Sequence, residues 1–266
     1  MKPGGVLMSV MLIIVLFLIG FVGAFISGMV GIGGSIIKYP MLLYIPALLG
    51  LVTYSPHEVA GISAIQVFFA AISGVWAYRA SNLLNKQLII YMGTAILIGS
   101  FMGGFSSNVM SENTINIVYA ILATLAAIMM FLPKKKGLDS ILNDQLEFNK
   151  TLASILSFII GITSGIVGAA GGFIMVPVML VILKIPTRIT VASSLAITFI
   201  SSIGSTVGKI VTAQVLYGPS IIMIIASVLG APLGVKLGTK TNTKVLQVIL
   251  SILILGTAIK IWFDIF

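Results

Sequence analysis

The stretch that decides the fold is Ser27-Gly-Met-Val-Gly-Ile-Gly-Gly-Ser-Ile-Ile-Lys-Tyr-Pro40, because the chain repeats it as Ser164-Gly-Ile-Val-Gly-Ala-Ala-Gly-Gly-Phe-Ile-Met-Val-Pro177. Laid over each other without a gap, the copies agree at Ser27/Ser164, Gly28/Gly165, Val30/Val167, Gly31/Gly168, Gly34/Gly171, Ile37/Ile174 and Pro40/Pro177, half of the fourteen positions. Clustered glycines give up helix propensity, and an internal proline removes a backbone donor and crowds the preceding turn. In apolar surroundings this composition reads as a helix break, and here the break is duplicated.

The surroundings are apolar throughout. Hydrophobic residues make up 59% of the 266, charged residues only 8%, and the mean hydropathy is +1.20. Runs of about 20 apolar residues, each long enough to cross roughly 30 Å of hydrocarbon, fill nearly the whole chain. The class is therefore an all-α polytopic membrane protein embedded in a lipid bilayer, since lipid leaves no partner for unpaired backbone groups. A β-barrel would alternate polar and apolar residues, and no such alternation occurs. The first run, Val6 to Ile26, exceeds the roughly 7 to 15 residues of a secretory core and continues into the glycine motif, so it is expected to be retained.

Composition also excludes chemistries. With no cysteine, disulfides, thiolate metal sites and thiol relays are ruled out. The net charge of +9 lies mostly in short connections between apolar runs, which indicates topology and not nucleic acid. No Gly-x-x-x-x-Gly-Lys-Ser/Thr sequence is present, so a self-contained ATP-driven pump is not expected. One histidine cannot supply a zinc-protease pair or a Ser/His/Asp set. We expect no cofactor, no metal and no enzymatic activity.

Hydropathy and breakers divide the chain into about ten helical segments: Val6 to Ser27, Ile36 to Val52, Val59 to Tyr78, Leu88 to Ser106 and Ile115 to Leu132, then Leu152 to Ser164, Phe173 to Leu183, Ile189 to Val211, Ser220 to Leu237 and Val245 to Phe263. Residues 1–132 form a first membrane repeat, 133–150 a polar linker, and 151–266 a second repeat. Gly99 with Gly103, echoed by Gly230 with Gly234, has the four-residue spacing of close helix contact. On a ten-segment count Arg79, Lys86, Lys134, Lys135, Lys136, Lys150, Lys184, Arg188, Lys236, Lys240 and Lys244, eleven of the fifteen cations, fall on one side. The positive-inside rule then predicts a cytoplasmic linker, both termini outside, and two inverted-topology five-segment repeats. Phe173 to Leu183 would reach only about 16 Å as a helix, which puts the glycine-broken helices near the midplane.

A chain that ends one helix and starts another at mid-depth leaves backbone N–H groups and a partial positive charge at the new N-terminus. Gly33, Gly34, Gly171 and Gly172 would let those amides approach an anion, and Gly31, Ser35 and Gly168 are expected to belong to the same substrate site. Lys38 enters an apolar segment that holds no acidic residue, so either a substrate anion meets its charge or its flexible stem carries it to an interface. Lys209 carries the same argument more weakly, because near its segment end it is expected to reach water. Ser63 and Gln66, and Ser193, Ser194, Thr198, Ser201, Ser202, Ser205 and Thr206, follow the two breaks; any one of them reads as helix-packing glue, while as a group they offer donors to oxyanion oxygens. His57 and Glu58, at the start of the third segment, are expected to be solvated.

The duplicated Ser-Gly-x-Val-Gly-x-x-Gly-(Gly/Ser)-x-Ile-x-x-Pro, Val-Ala-x-Ser-Leu-Ala at Val191 to Ala196, and Gly230-Ala231-Pro232-Leu233-Gly234 together resemble the sulfite exporter TauE/SafE family over nearly the whole chain. The resemblance implies an inner-membrane permease for small sulfur-containing oxyanions, such as sulfite or organosulfonates, with protons as a possible coupling ion. It carries over Gly31, Gly34, Pro40, Gly168, Gly171, Gly172 and Pro177 as motif positions; Ser35 departs from the fuller glycine pattern, and Lys38 is outside the motif. A channel or permease for another solute, or a membrane-embedded sensor or scaffold, is the alternative. The charge count is open to test by single-cysteine labelling in this cysteine-free background. An impermeant thiol reagent added to intact cells is expected to leave Asn143→Cys unlabelled until the membrane is opened.

Overall fold

The computed structural model describes residues 9–32, 35–79, 81–132, 146–168 and 171–265. Gly33 and Gly34 and residues 133–145 of the linker, with Lys134, Lys135 and Lys136, lie outside the described residues. Ten α-helices follow one another: α1 Val10–Val30, α2 Ser35–Leu48, α3 Pro56–Tyr78, α4 Lys86–Ser106, α5 Glu112–Phe131, α6 Lys150–Val167, α7 Gly172–Pro177, α8 Thr187–Val211, α9 Tyr217–Lys240 and α10 Thr243–Ile265. No strand occurs among the described residues. Seven of these helices are long and apolar enough to cross a membrane; the protein is a multi-pass membrane protein, as its composition requires.

Local chemistry sets the boundaries. Side-chain oxygens of Ser9, Asn85, Ser111 and Asn149 accept from backbone N–H groups in the first turns of α1, α4, α5 and α6, replacing partners a helix start lacks. At α3 the device is a full capping box, with Pro56 in the first turn and Ser55 and Glu58 each accepting from the other's backbone N–H. Both copies of the repeated motif end their helix in the same way. Gly31 closes α1 at φ 78° and Gly168 closes α6 at φ 73°, a left-handed conformation that costs glycine little. The chain then turns into a short helix: α2 has 14 residues, and α7 has six, widening into π-helical turns over Val178–Ile182. At 1.5 Å per residue neither covers the hydrocarbon thickness.

Packing reaches across the halves. Gly20 of α1 meets Met223 and Ala226 of α9, Gly28 meets Ala231, and Met29 meets Gly238, so α1 and α9 run the same way. On the other side Gly161 of α6 meets Ile96 and Ser100 of α4, Gly165 meets Ser100 and Gly104, Gly204 of α8 meets Leu97 and Phe101, and Gly208 meets Gly104 and Phe105. Thus α4, α6 and α8 also share one direction. Gly74 of α3 lies on Leu195 and Phe68 on Phe199, which makes α3 antiparallel to α8; its start, at Gly61, lies on the Gln214–Val215 connection that leads into α9. One set, α1, α3 and α9, therefore opposes the other, α4, α6 and α8. This collects Arg79, Lys86, Lys150, Lys184, Arg188 and Lys240 at a single end of the bundle, where Arg188 donates to the carbonyl of Thr239 at 2.8 Å.

Helix α5 holds both short helices. Tyr119 stacks on Tyr39 of α2 with ring centroids 4.5 Å apart and faces Phe173 of α7 at 5.8 Å, while Tyr39 donates to Asn116 at 2.9 Å.

The glycine seams bring backbones into contact, so there is no room for side chains. A Cβ at Gly103 would collide with the backbone of Ile162, whereas one at Gly256 meets nothing within 4 Å. Gly103→Ala is expected to cost about 1–3 kcal/mol by overpacking and to lower the thermal unfolding midpoint in detergent. Gly256→Ala is expected to leave it unchanged or to raise it slightly, since alanine is the better helix former.

Candidate functional site

The two breaks touch. A Cβ at Gly172 would collide with the carbonyl of Ile32, one residue past Gly31, and would lie 2.8 Å from Oγ1 of Thr198. Thr198 is the twelfth residue of α8, so the crossing sits halfway along that helix. The capping glycines diverge from this point: Gly31 packs on Val191 near the start of α8, and Gly168 on Ala60 near the start of the antiparallel α3. Each break is thus seated on a spanning helix of the other half.

Helix α8 supplies the hydrogen bonds that the broken helices need. Ser194 Oγ donates to the carbonyl of Gly31 at 2.8 Å, and Lys209 Nζ donates to the carbonyl of Ile166, in the last turn of α6, at 3.0 Å. Terminal helix carbonyls have no partner within their own helix and carry the negative end of its dipole, so a hydroxyl satisfies one end and an ammonium the other. Lys209 completes its set with Ser107 Oγ at 2.7 Å and Gln214 Oε1 at 2.8 Å. This corrects the expectation that Lys209 reaches water. It is fully buried, and all three of its N–H donors are used.

Lys38 is the contrasting case. Its side chain is also fully buried, with the aliphatic stem lying against Gly23 of α1, yet Nζ has no hydrogen-bond partner. Other buried polar atoms of α1, α3 and α8 are similarly unspent. Ser27 Oγ, one turn beyond Gly23, Ser63 Oγ of α3 and Thr198 Oγ1 of α8 are buried without partners. Gln66 Nε2 donates to the carbonyl of Gly20 at 3.1 Å and to Ser227 Oγ at 2.7 Å, which fixes the amide and leaves Oε1 buried and free. Positions 20, 23, 27 and 31 recur at three- and four-residue spacing, so they line one face of α1. Along that face lie, in order, Gln66, Lys38, the Ser27 hydroxyl and the Ser194 clamp, with Thr198 and Gly172 at Ile32.

Buried polar groups are nearly always hydrogen-bonded, and an unpaired buried ammonium costs far more than an unpaired hydroxyl. Five such groups on α1, α2, α3 and α8 make this the candidate ligand site. At the start of α7 no side chain caps the amides after Gly171.

Of the sequence-derived candidates, the structure brings together Gly31, Lys38, Gln66, Gly172, Ser194 and Thr198. Gly168 and Gly171 shape the second turn, both at φ 73°; Gly33 and Gly34 lie outside the described residues, as does the side chain of Ser35. Several hydroxyls of α8 are spent elsewhere. Ser193 accepts from the backbone N–H of Asn85, and Ser202 and Ser205 donate to carbonyls of their own helix. Ser27 was not among the sequence-derived candidates, although its place at the head of the duplicated motif was a signal; its counterpart Ser164 bonds the carbonyl of Ile160 within α6. Gln214 and Ser107 carried no local signal at all. Glu58 is not simply solvated but caps α3, and His57 is half-buried with both ring nitrogens in contact with oxygen atoms.

A helical membrane bundle whose paired broken helices converge on unpartnered buried polar groups is the architecture of a membrane transporter. The chain belongs to the sulfite exporter TauE/SafE family, whose profile matches residues 16–261. It is 23% identical over 219 residues to the probable membrane transporter protein YunE of Bacillus subtilis, covering 76% of this chain and 80% of that protein. It is 28% identical to the probable membrane transporter protein YdhB of the same organism, covering 78% and 81%. To the probable membrane transporter protein MJ0441 of Methanocaldococcus jannaschii it is 25% identical, covering 73% and 71%. No solved structure matches the chain at a significant level.

The two buried lysines should respond oppositely to the same substitution. Lys209→Met strands the carbonyl of Ile166 and weakens the Gln214 and Ser107 contacts, at roughly 1–3 kcal/mol for an unsatisfied buried group, so its thermal unfolding midpoint in detergent is expected to fall. Lys38→Met removes a cation that has no protein partner, and its midpoint is expected to stay level or rise.

Proposed function

We propose that this transporter carries small sulfur-containing oxyanions, such as sulfite or organosulfonates, bound between the two halves at the helix breaks and moved by alternating access. The observation that carries the proposal is the Lys38 ammonium, fully buried and without a partner. An anion beside it supplies the missing countercharge, and the free hydroxyls of Ser27, Ser63 and Thr198 donate to its oxygens. Gln66 presents an acceptor oxygen instead, which favours an anion that keeps one O–H or N–H donor. Backbone amides at Gly33, Gly34, Gly171 and Gly172 would complete the shell. The family description points to the same class of substrate.

The opposite directions of α1 and α3 against α6 and α8 support an inverted relation between residues 1–132 and 151–266. With the cationic end in the cytoplasm by the positive-inside rule, both termini lie outside and the linker inside. The bound anion then sits where rocking of one half against the other would expose it to either side in turn. Loading neutralises Lys38 and unloading restores its charge, so empty and loaded states differ in the electrostatic cost of closing around the site.

Lys38→Met is expected to weaken sulfite binding, measured by calorimetry on the purified protein in detergent, by more than about tenfold. That is the order for loss of a charge-assisted contact of about 1.5–3 kcal/mol. Affinity equal to the parent's would remove Lys38 from the site.

A further inference from the structure

At the end of the bundle opposite the cationic one, a cavity of about 300 Å³ is lined by His57, Glu58, Asn108, Thr212 and Gln214. His57 begins α3, Asn108 belongs to the α4–α5 connection, and Gln214 to the α8–α9 connection. That last connection passes through Ala213 at φ 55°, a left-handed conformation that a non-glycine residue holds only where its surroundings impose it. The imposing contacts involve Gln214, whose backbone N–H donates to the carbonyl of Lys209 at 3.0 Å and whose amide nitrogen donates to Thr212 Oγ1 at 2.7 Å.

The hydrogen bonds fix more than the backbone. Lys209 Nζ can only donate, so the Gln214 atom 2.8 Å away must be the amide oxygen. The same oxygen lies 3.3 Å from Nδ1 of His57, and Nε2 of His57 lies 3.1 Å from the carbonyl oxygen of Met110. Both ring nitrogens therefore face acceptors. A neutral imidazole carries one N–H and satisfies one of them; only the imidazolium donates to both. On losing its proton, the ring keeps the shorter contact to Met110 and turns a lone pair on the Gln214 oxygen. That oxygen is the one Lys209 holds, and Lys209 in turn holds the carbonyl of Ile166, two residues before the Gly168 turn.

We propose that His57, with Gln214 and Lys209, forms a proton-binding site: a bound proton latches α3 to the α4–α5 and α8–α9 connections, and its release loosens the hydrogen bonds that end at the second helix break. The charged groups facing the ring are few. Glu58, on α3 itself, has its carboxylate engaged by the backbone N–H of Ser55, and Lys209 acts through the shared amide. The α4–α5 connection presents only Ser107, Asn108 and the Met110 carbonyl, with exposed Glu112 beyond it at the start of α5. The α8–α9 connection contributes no charge. The sign follows from the donors: the latch is closed at acidic pH and opens as pH rises.

The chain has a single histidine and no cysteine, so both can be read without interference. Spin labels on Val109→Cys and Tyr217→Cys, residues 86% and 62% exposed, flank the latch on the α4–α5 connection and the start of α9. In full-length protein in lipid nanodiscs, with no anion added, a single short distance is expected at about pH 5 and its loss to a longer or broader distribution at about pH 8, either side of the histidine range. Nitrogen-15 spectra of labelled histidine are expected to show two protonated ring nitrogens in the short-distance state. His57→Gln and Gln214→Leu are each expected to abolish the pH response; the second keeps the histidine and decides the matter if the first does not fold. Identical distributions at both pH values, a pH response that survives Gln214→Leu, or a single ring proton in the short-distance state would overturn the proposal. Because no substrate is present, these outcomes are independent of whether Lys38 binds an anion.

Discussion

A hydrocarbon layer offers no water to complete a broken ladder of backbone hydrogen bonds, and everything distinctive here follows from meeting that requirement twice. Both breaks are finished by α8: the Ser194 hydroxyl serves the end of α1, and the Lys209 ammonium serves the end of α6. Fifteen residues separate the two donors, so one spanning helix fixes the depth of both turns. The glycines do the complementary part, since Gly31 and Gly168 supply the left-handed caps and the absent side chain of Gly172 lets the second break rest on Ile32. Any motion that opens the site must keep these donors engaged or exchange them for others.

Duplicated backbone with unduplicated charge is the second feature. In the aligned copies Lys38 corresponds to Met175, which is as fully buried as Lys38 but apolar. The backbone turns are shared because the fold needs both. The ammonium occurs once and has no hydrogen-bond partner in the protein, so no hydrogen bond of the fold depends on it. An isolated buried charge is among the costlier things a membrane segment can carry, and under the proposed function it is this cost that would favour an anion before any hydroxyl contributes.

The two buried lysines show how environment assigns roles to one residue type. Lys209 has three acceptors and the negative end of the α6 dipole, so it behaves as a structural clamp. Lys38 has none. The clamp also shares its Gln214 oxygen with His57, which links the end of the bundle opposite the cationic one to the second break through a chain of hydrogen bonds, while the unpartnered Lys38 and Ser27 lie along α1 towards the first break.

The sequence alone determined the membrane class, the number of helices, the duplicated break and the shortness of the helices after it, because each depends on local composition: apolar length, glycine clusters and an internal proline act within a few residues. It also singled out Lys38, since a cation within an apolar run is conspicuous without any contacts. Tertiary structure decided which polar groups are free. Ser193, Ser194 and Thr198 are near-identical in sequence terms, yet one serves the α3–α4 connection, one clamps Gly31, and one is unpartnered. The fate of Lys209 likewise rested on Ser107, 102 residues away, and on Ile166, 43 residues away. A hydrogen bond is set by donor and acceptor meeting in space, and such meetings between distant helices leave no periodicity or motif in the chain that makes them.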